Sequence, residues 1–242
     1  MSSIARQISC NLATVRERIA VACERSGRNP DDVTLVCVTK YAKHEWVEGL
    51  LECGERILGE NRPQQLAERA EQFPPDVQWH LVGQLQRNKV RKTLDNASLI
   101  HSVDSIRLLN RIETIALEEG RTPDVLLQVN VSGEAAKSGF TPDALRDAWP
   151  EVCELARTRV QGLMTMAPLT ESPEECRPYF ESLAGLAEEL KGSHPESNGP
   201  VLTELSMGMS GDFEVAVEAG ATMIRLGRSL FSGLAPTDSP VD

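Results

Sequence analysis

Three stretches of the chain hold residues whose types could do chemistry. The first is Val33-Thr-Leu-Val-Cys-Val-Thr-Lys40, an apolar, β-branched run that ends in a lysine. Such a run reads as a buried parallel strand. A lysine in a partly dry site loses some preference for its charged form, and its amine can then attack a carbonyl to form a Schiff base. The competing reading is a strand-end lysine that extends its stem to reach water. The second stretch is Leu205-Ser-Met-Gly-Met-Ser-Gly-Asp212 and the third is Ile224-Arg-Leu-Gly-Arg-Ser229. Gly208, Gly211 and Gly227 would let backbone N–H groups approach an anion, and Ser206 and Ser210 add hydroxyls. Ser210 or Asp212 would cap a helix over Phe213–Ala219, whose amino end favours negative charge. The same glycines and serines would also suit plain turns and caps. Arg225 interrupts the third stretch, on the strand face opposite Ile224 and Leu226. A charge there needs a ligand or an acid such as Glu204.

What positions these residues is a regular alternation. Eight short apolar runs recur at Thr34–Lys40, Arg56–Gly59, Val77–Val82, Ser98–Val103, Asp124–Val131, Val160–Met166, Val201–Met207 and Thr222–Gly227. Segments of helical periodicity separate them, among them Ser105–Glu119, Pro142–Ala156 and Glu174–Lys191. Cap chemistry stands at Asp104, Thr141-Pro142-Asp143 and Ser172-Pro173-Glu174, and Gly120 and Gly192 sit where helices should stop. Alternating strands and helices predict parallel pairing, and eight units predict a single (β/α)8 TIM barrel over residues 1–233. An extra amphipathic N-terminal helix precedes strand one, and residues 234–242 form a disordered tail. The barrel reading places Lys40 at the carboxyl end of strand one, the face where barrel active sites lie. The glycine loops follow strands seven and eight, where many barrels bind phosphate.

Composition narrows the function. The chain has 242 residues and a formal net charge of -11, which argues against nucleic acid and anionic membranes as partners. No apolar run is long enough to span a bilayer, and no secretory leader is evident. Cys10, Cys23, Cys37, Cys53, Cys153 and Cys176 form no CxxC pair, and His44, His80, His101 and His194 are scattered. The expectation is a cytoplasmic protein with reduced thiols and no metal site.

An amine, a phosphate cradle and an arginine between them suggest pyridoxal 5'-phosphate (PLP), although the spacing would also suit a phosphorylated sugar. Lys40 would take the aldehyde, and Met164 or Met166 would face the ring. Arg225 would approach the pyridine nitrogen and keep it unprotonated, which makes the ring a poorer electron sink.

The ordered motifs Val38-Thr-Lys40, Gly59-Glu-Asn61, Trp79-His-Leu-Val-Gly-Gln-Leu-Gln-Arg-Asn-Lys89, His101-Ser-Val-Asp104, Val129-Asn-Val-Ser132 with Lys137-Ser-Gly139, Gly162-Leu-Met-Thr-Met166, Leu205-Ser-Met-Gly-Met-Ser210 and Arg225-Leu-Gly227 resemble the pyridoxal-phosphate homeostasis proteins over nearly the whole chain. The resemblance implies a barrel like the N-terminal domain of alanine racemase and PLP bound through Lys40. It carries phosphate positions to Ser206, Met207, Gly208, Gly227 and Arg228, the pyridine-nitrogen partner to Arg225, and neighbours of the ring to Asn61 and His80. It implies a protein that binds, buffers or delivers PLP, with no firm catalytic turnover. The expectation is a carrier and not an enzyme, with apo PLP-dependent enzymes as recipients and a monomer or weak dimer as the working form. The alternative is an amino-acid racemase or decarboxylase. The chain departs from the family pattern at Arg62-Pro-Gln-Gln65 and at Arg228, where the family often has threonine.

Overall fold

The computed structural model describes residues 1–134, 137–193 and 200–234. His194 and all of the expected tail after Leu234 lie outside them. Eight parallel strands close into one barrel in sequence order. They are β1 (Thr34–Val38), β2 (Ile57–Glu60), β3 (Gln78–Leu81), β4 (Leu99–Val103), β5 (Asp124–Gln128), β6 (Arg159–Met164), β7 (Glu204–Ser206) and β8 (Met223–Leu226). β1 closes the ring against β8, with Val36 opposite Arg225 and Cys37 opposite Leu226. The barrel and its extra first helix match the sequence expectation.

Helices α1 (Ser3–Ser26), α2 (His44–Glu52), α3 (Pro63–Gln72), α4 (Val90–Leu94), α5 (Ile106–Glu119), α6 (Pro142–Cys153), α7 (Arg177–Ser193) and α8 (Phe213–Glu218) surround the strands. α1 buries Ile8, Leu12, Val15, Ile19 and Cys23, a stripe at helical spacing. Ser2 caps its start and left-handed Gly27 ends it. Two expected signals act differently. Ser105, not Asp104, is the N-cap of α5, and its hydroxyl accepts from the Leu108 amide. Gly192 does not stop α7, which continues through Ser193. No described helix is long and apolar enough to cross a membrane.

The main core lies between strands and helices. A separate small apolar cluster, Leu99, Leu126 and Met164 with Met223 against it, fills the barrel. Two residues farther along β4 and β8 stand His101 and Arg225. The interior therefore changes from apolar to polar toward the carboxyl ends of the strands, and this gradient positions the site.

Candidate site at the carboxyl end of the barrel

The strand carrying Lys40 ends two residues earlier than its sequence suggests. Thr39 makes the last ladder bond, its N–H donating to the Gly59 carbonyl at 2.8 Å. The Ala42 N–H then donates to the Thr39 carbonyl at 2.8 Å and closes a turn. Lys40 and Tyr41 occupy the middle of that turn and are exposed. The partly dry lysine expected from the run is thus replaced by an accessible one, its Nζ 5.0 Å from the centroid of the Tyr41 ring. Beside the turn, the buried Glu60 carboxylate accepts from Thr39 Oγ1 at 2.6 Å and pairs with Arg69 at 2.7 Å. Burial raises the Glu60 pKa above the ordinary carboxylate value.

Arg225 is buried, 6% exposed. It does not pair with Glu204, whose carboxylate instead accepts from Thr222 Oγ1. Its two terminal nitrogens donate to Ser206 Oγ at 2.6 Å and to the Thr165 carbonyl at 2.8 Å. Burial lowers its pKa to about 10, and the Asp212 carboxylate works in the opposite direction. Ser206 Oγ lies 2.8 Å from His101 Nδ1, and His101 Nε2 lies 3.0 Å from His80 Nδ1. Four strands therefore contribute one buried polar chain, Arg225–Ser206–His101–His80. Desolvation keeps both imidazoles neutral: it pushes His80 down to about 4 and His101 well below its usual value, with His80 and Arg225 lowering His101 further.

The loops after β7 and β8 form a concavity. Gly208 has φ +91°, and a Cβ there would stand 2.6 Å from the Ala216 Cβ. At Gly227 a Cβ would come within 3.1 Å of the Val38 carbonyl oxygen, which sets this loop against the end of β1. Among the described residues, the amides of Gly208, Gly227 and Arg228 meet no protein acceptor. An anion could take them. Other expected phosphate groups are already engaged. The Met207 N–H donates to the Met223 carbonyl, and the Ser206 hydroxyl belongs to the buried chain. Asp212 is the N-cap of α8, but its side chain accepts from the Met209 amide at 2.6 Å and leaves α8 uncapped. With α8 only six residues long and a carboxylate at its start, the expected contribution of the helix end falls away. Arg228 is exposed and free of ion pairs among the described residues.

Asn61 is exposed at the end of β2 and packs so closely on Gly83 that a Cβ at position 83 would lie 2.6 Å from its Cγ. Met164 is fully buried in the apolar layer, whereas Met166 is 39% exposed. The roles of His101, Thr165, Glu60, Arg69 and Gly83 were missed in the sequence. A histidine within the wholly buried Leu-Ile-His-Ser-Val run and an acid directly after Leu58-Gly59 were the available signals.

Residues 10–235 match the family model of the alanine racemase N-terminal domain. The chain is similar to a curated pyridoxal phosphate homeostasis protein of Aquifex aeolicus (strain VF5), 41% identical over 221 residues that cover 91% of this chain and 95% of the relative. It is 34% identical over 228 residues to the protein of the same name from Escherichia coli (strain K12), covering 93% and 95% of the two chains. Among solved structures it is similar to PipY of Synechococcus elongatus PCC7942 with PLP bound, at 36% identity and a TM-score of 0.80, covering 93% of this chain and all of PipY.

Proposed function

The chain belongs to the pyridoxal phosphate homeostasis proteins, within the family of the alanine racemase N-terminal domain, and on that premise we propose that it binds PLP at the barrel mouth and holds it for delivery inside the cell. The observation that carries this reading is the convergence at one end of the barrel of an accessible primary amine, acceptor-free amides and a buried guanidinium.

The residues fit the cofactor. The amides of Gly208, Gly227 and Arg228 would take the phosphate, and the exposed Arg228 would add charge beside it. Lys40 would tether the aldehyde, and Arg225 would face the pyridine nitrogen. Asn61 and His80 would border the ring. Met164 is a floor beneath the site, and Ser206 acts through Arg225. When bound, PLP supplies an aldehyde that reacts reversibly with primary amines. An exposed tether favours exchange, because a free amine or a recipient protein can reach it.

The carrier reading is preferred over an amino-acid racemase or decarboxylase. Racemisation needs acid–base groups on both faces of the substrate carbon. Lys40 and Tyr41 share one turn, and Tyr179, the remaining tyrosine, packs against the core from α7.

Borohydride reduction of the PLP-loaded protein followed by peptide mapping tests the assignment. The label is expected on Lys40, and Lys40→Ala should abolish it while leaving the fold intact. A label on another lysine would overturn the site. Substantial racemase turnover by the purified protein would overturn the carrier role.

A further inference from the structure

We propose that the chain carries a second anion site, for compact ligands with two or more adjacent phosphoryl groups, outside the barrel mouth. The inference does not rest on the PLP reading. A shallow, open depression of about 620 Å³ lies between the short turn after β3 and helix α5, lined by Arg87, Asn88, Arg107, Asn110, Arg111 and Thr114. Three guanidinium groups thus meet at one surface depression in a chain whose net charge is -11.

Arginines close by in the sequence are neutralised. Arg91 pairs with Glu118 and Glu119, and Arg121 pairs with Asp95 and Glu119. None of Arg87, Arg107 and Arg111 has a carboxylate partner among the described residues, and no acid lines the depression. Arg107 and Arg111 stand four apart on one exposed face of α5, where like charges destabilise a helix slightly. A bound polyanion would turn that repulsion into attraction.

The chemistry of the lining narrows the ligand. Guanidinium forks suit phosphoryl oxygens and can bond them in pairs. Asn88 adds an amide donor. Asn110 donates to Glu151 at 2.7 Å, so it stands beside a carboxylate and contributes less. The Thr114 hydroxyl donates to the Asn110 carbonyl at 2.7 Å, so it forms wall and not donor. No apolar or aromatic side chain lines the space, which leaves no seat for a pyridine ring or a nucleobase. Recognition therefore falls on the phosphoryl groups, whether they come from inorganic diphosphate or from the diphosphate end of a nucleotide.

Isothermal titration of the full chain at physiological salt, with excess PLP present, tests this. Inorganic diphosphate should bind saturably at one site, ADP should bind within a few-fold of it, and inorganic phosphate should bind at least about tenfold more weakly. Arg107→Ala/Arg111→Ala should weaken diphosphate binding at least about tenfold while PLP absorbance is retained. ADP binding far tighter than diphosphate would mean that a base is recognised and would overturn the stated class. Absence of saturable binding, equal binding by the double variant, or diphosphate that only displaces PLP would overturn the site. Polyglutamate binding as tightly as diphosphate would assign the depression to acidic polypeptides instead.

Discussion

Arg69 and Glu60 form a buried ion pair, Nε to Oε1 at 2.7 Å, and together they hold both ends of the turn that carries Lys40. Glu60 accepts from the Thr39 hydroxyl at 2.6 Å, and Arg69 donates to the Ala42 carbonyl at 2.6 Å. The accessible lysine is thus mounted on a rigid base that spans β2 and α3. Exposure gives Lys40 exchange with solvent, and the pair beside it fixes the backbone turn from which the amine extends.

Removing one member of that pair should be worse than removing both. Arg69→Met leaves the Glu60 carboxylate buried without a countercharge and should cost about 3–5 kcal/mol. The double variant Glu60→Gln/Arg69→Met should recover a substantial part, because no uncompensated charge remains. Urea unfolding of Arg69→Met, Glu60→Gln and the double variant measures this. Equal destabilisation of single and double variants would show that the pair does not act as a unit.

The two glycines of the β7 loop should behave oppositely. Gly208 has a left-handed φ, and a Cβ there meets both Ala216 and the Phe213 backbone. Gly208→Ala should therefore cost about 1–3 kcal/mol and weaken PLP retention. Gly211 has open space around its Cβ position and no positive φ, so Gly211→Ala should be neutral or stabilise by up to about 1 kcal/mol. Thermal unfolding and retention of PLP absorbance after gel filtration read both effects.

The barrel was legible in the chain because its strands are buried on both faces, and that burial produces the apolar runs that mark their order. Lys40 was legible for the same reason: a charge stands out at the end of Val36-Cys-Val38. The turn that exposes Lys40 was not legible, since it depends on the Ala42 amide finding the Thr39 carbonyl and on Arg69, 27 residues after Ala42, holding the Ala42 carbonyl. The chain joining Arg225 to His80 was equally hidden. Its members lie on β3, β4, β7 and β8, and only closure of the barrel brings them into contact. Asp212 takes the N-cap position expected of it but not the capping bond, because its carboxylate accepts from the Met209 amide instead, a local bond that sequence spacing permits but does not require.

Acid should destabilise the protein through its buried histidines. An unfolded histidine takes up a proton near pH 6.5, whereas folded His80 resists protonation down to about 4. The unfolded state thus binds more protons between these values, and stability falls as pH drops through that window. The loss from His80 should approach roughly 3 kcal/mol by pH 4, and His101 acts in the same direction. Buried Glu60 and Asp212 oppose this trend, since their folded pKa values are raised. Comparing urea midpoints at pH 7.5, 6 and 5 with those of His80→Asn isolates the histidine contribution. A wild-type slope identical to that of the variant would refute it.

The direction of every proton in the buried chain follows from Arg225. A guanidinium only donates, so Ser206 Oγ accepts from it. No other acceptor faces the Ser206 hydroxyl among the described residues, so its proton is directed to His101 Nδ1 at 2.8 Å. His101 must then carry its hydrogen on Nε2 and donate it to His80 Nδ1 at 3.0 Å, which leaves His80 with its hydrogen on Nε2 as well. Nitrogen-15 NMR should find both rings as the Nε2–H tautomer at pH 7. Arg225→Met removes the donor that orders the chain and should give His101 a mixture of tautomers. Arg225→Lys replaces the planar two-nitrogen fork with a single ammonium on a shorter stem, disturbs the paired geometry to Ser206 Oγ and the Thr165 carbonyl, and should cost about 1–3 kcal/mol. A wild-type His101 protonated on Nδ1 would reverse the chain and remove Arg225 as its source.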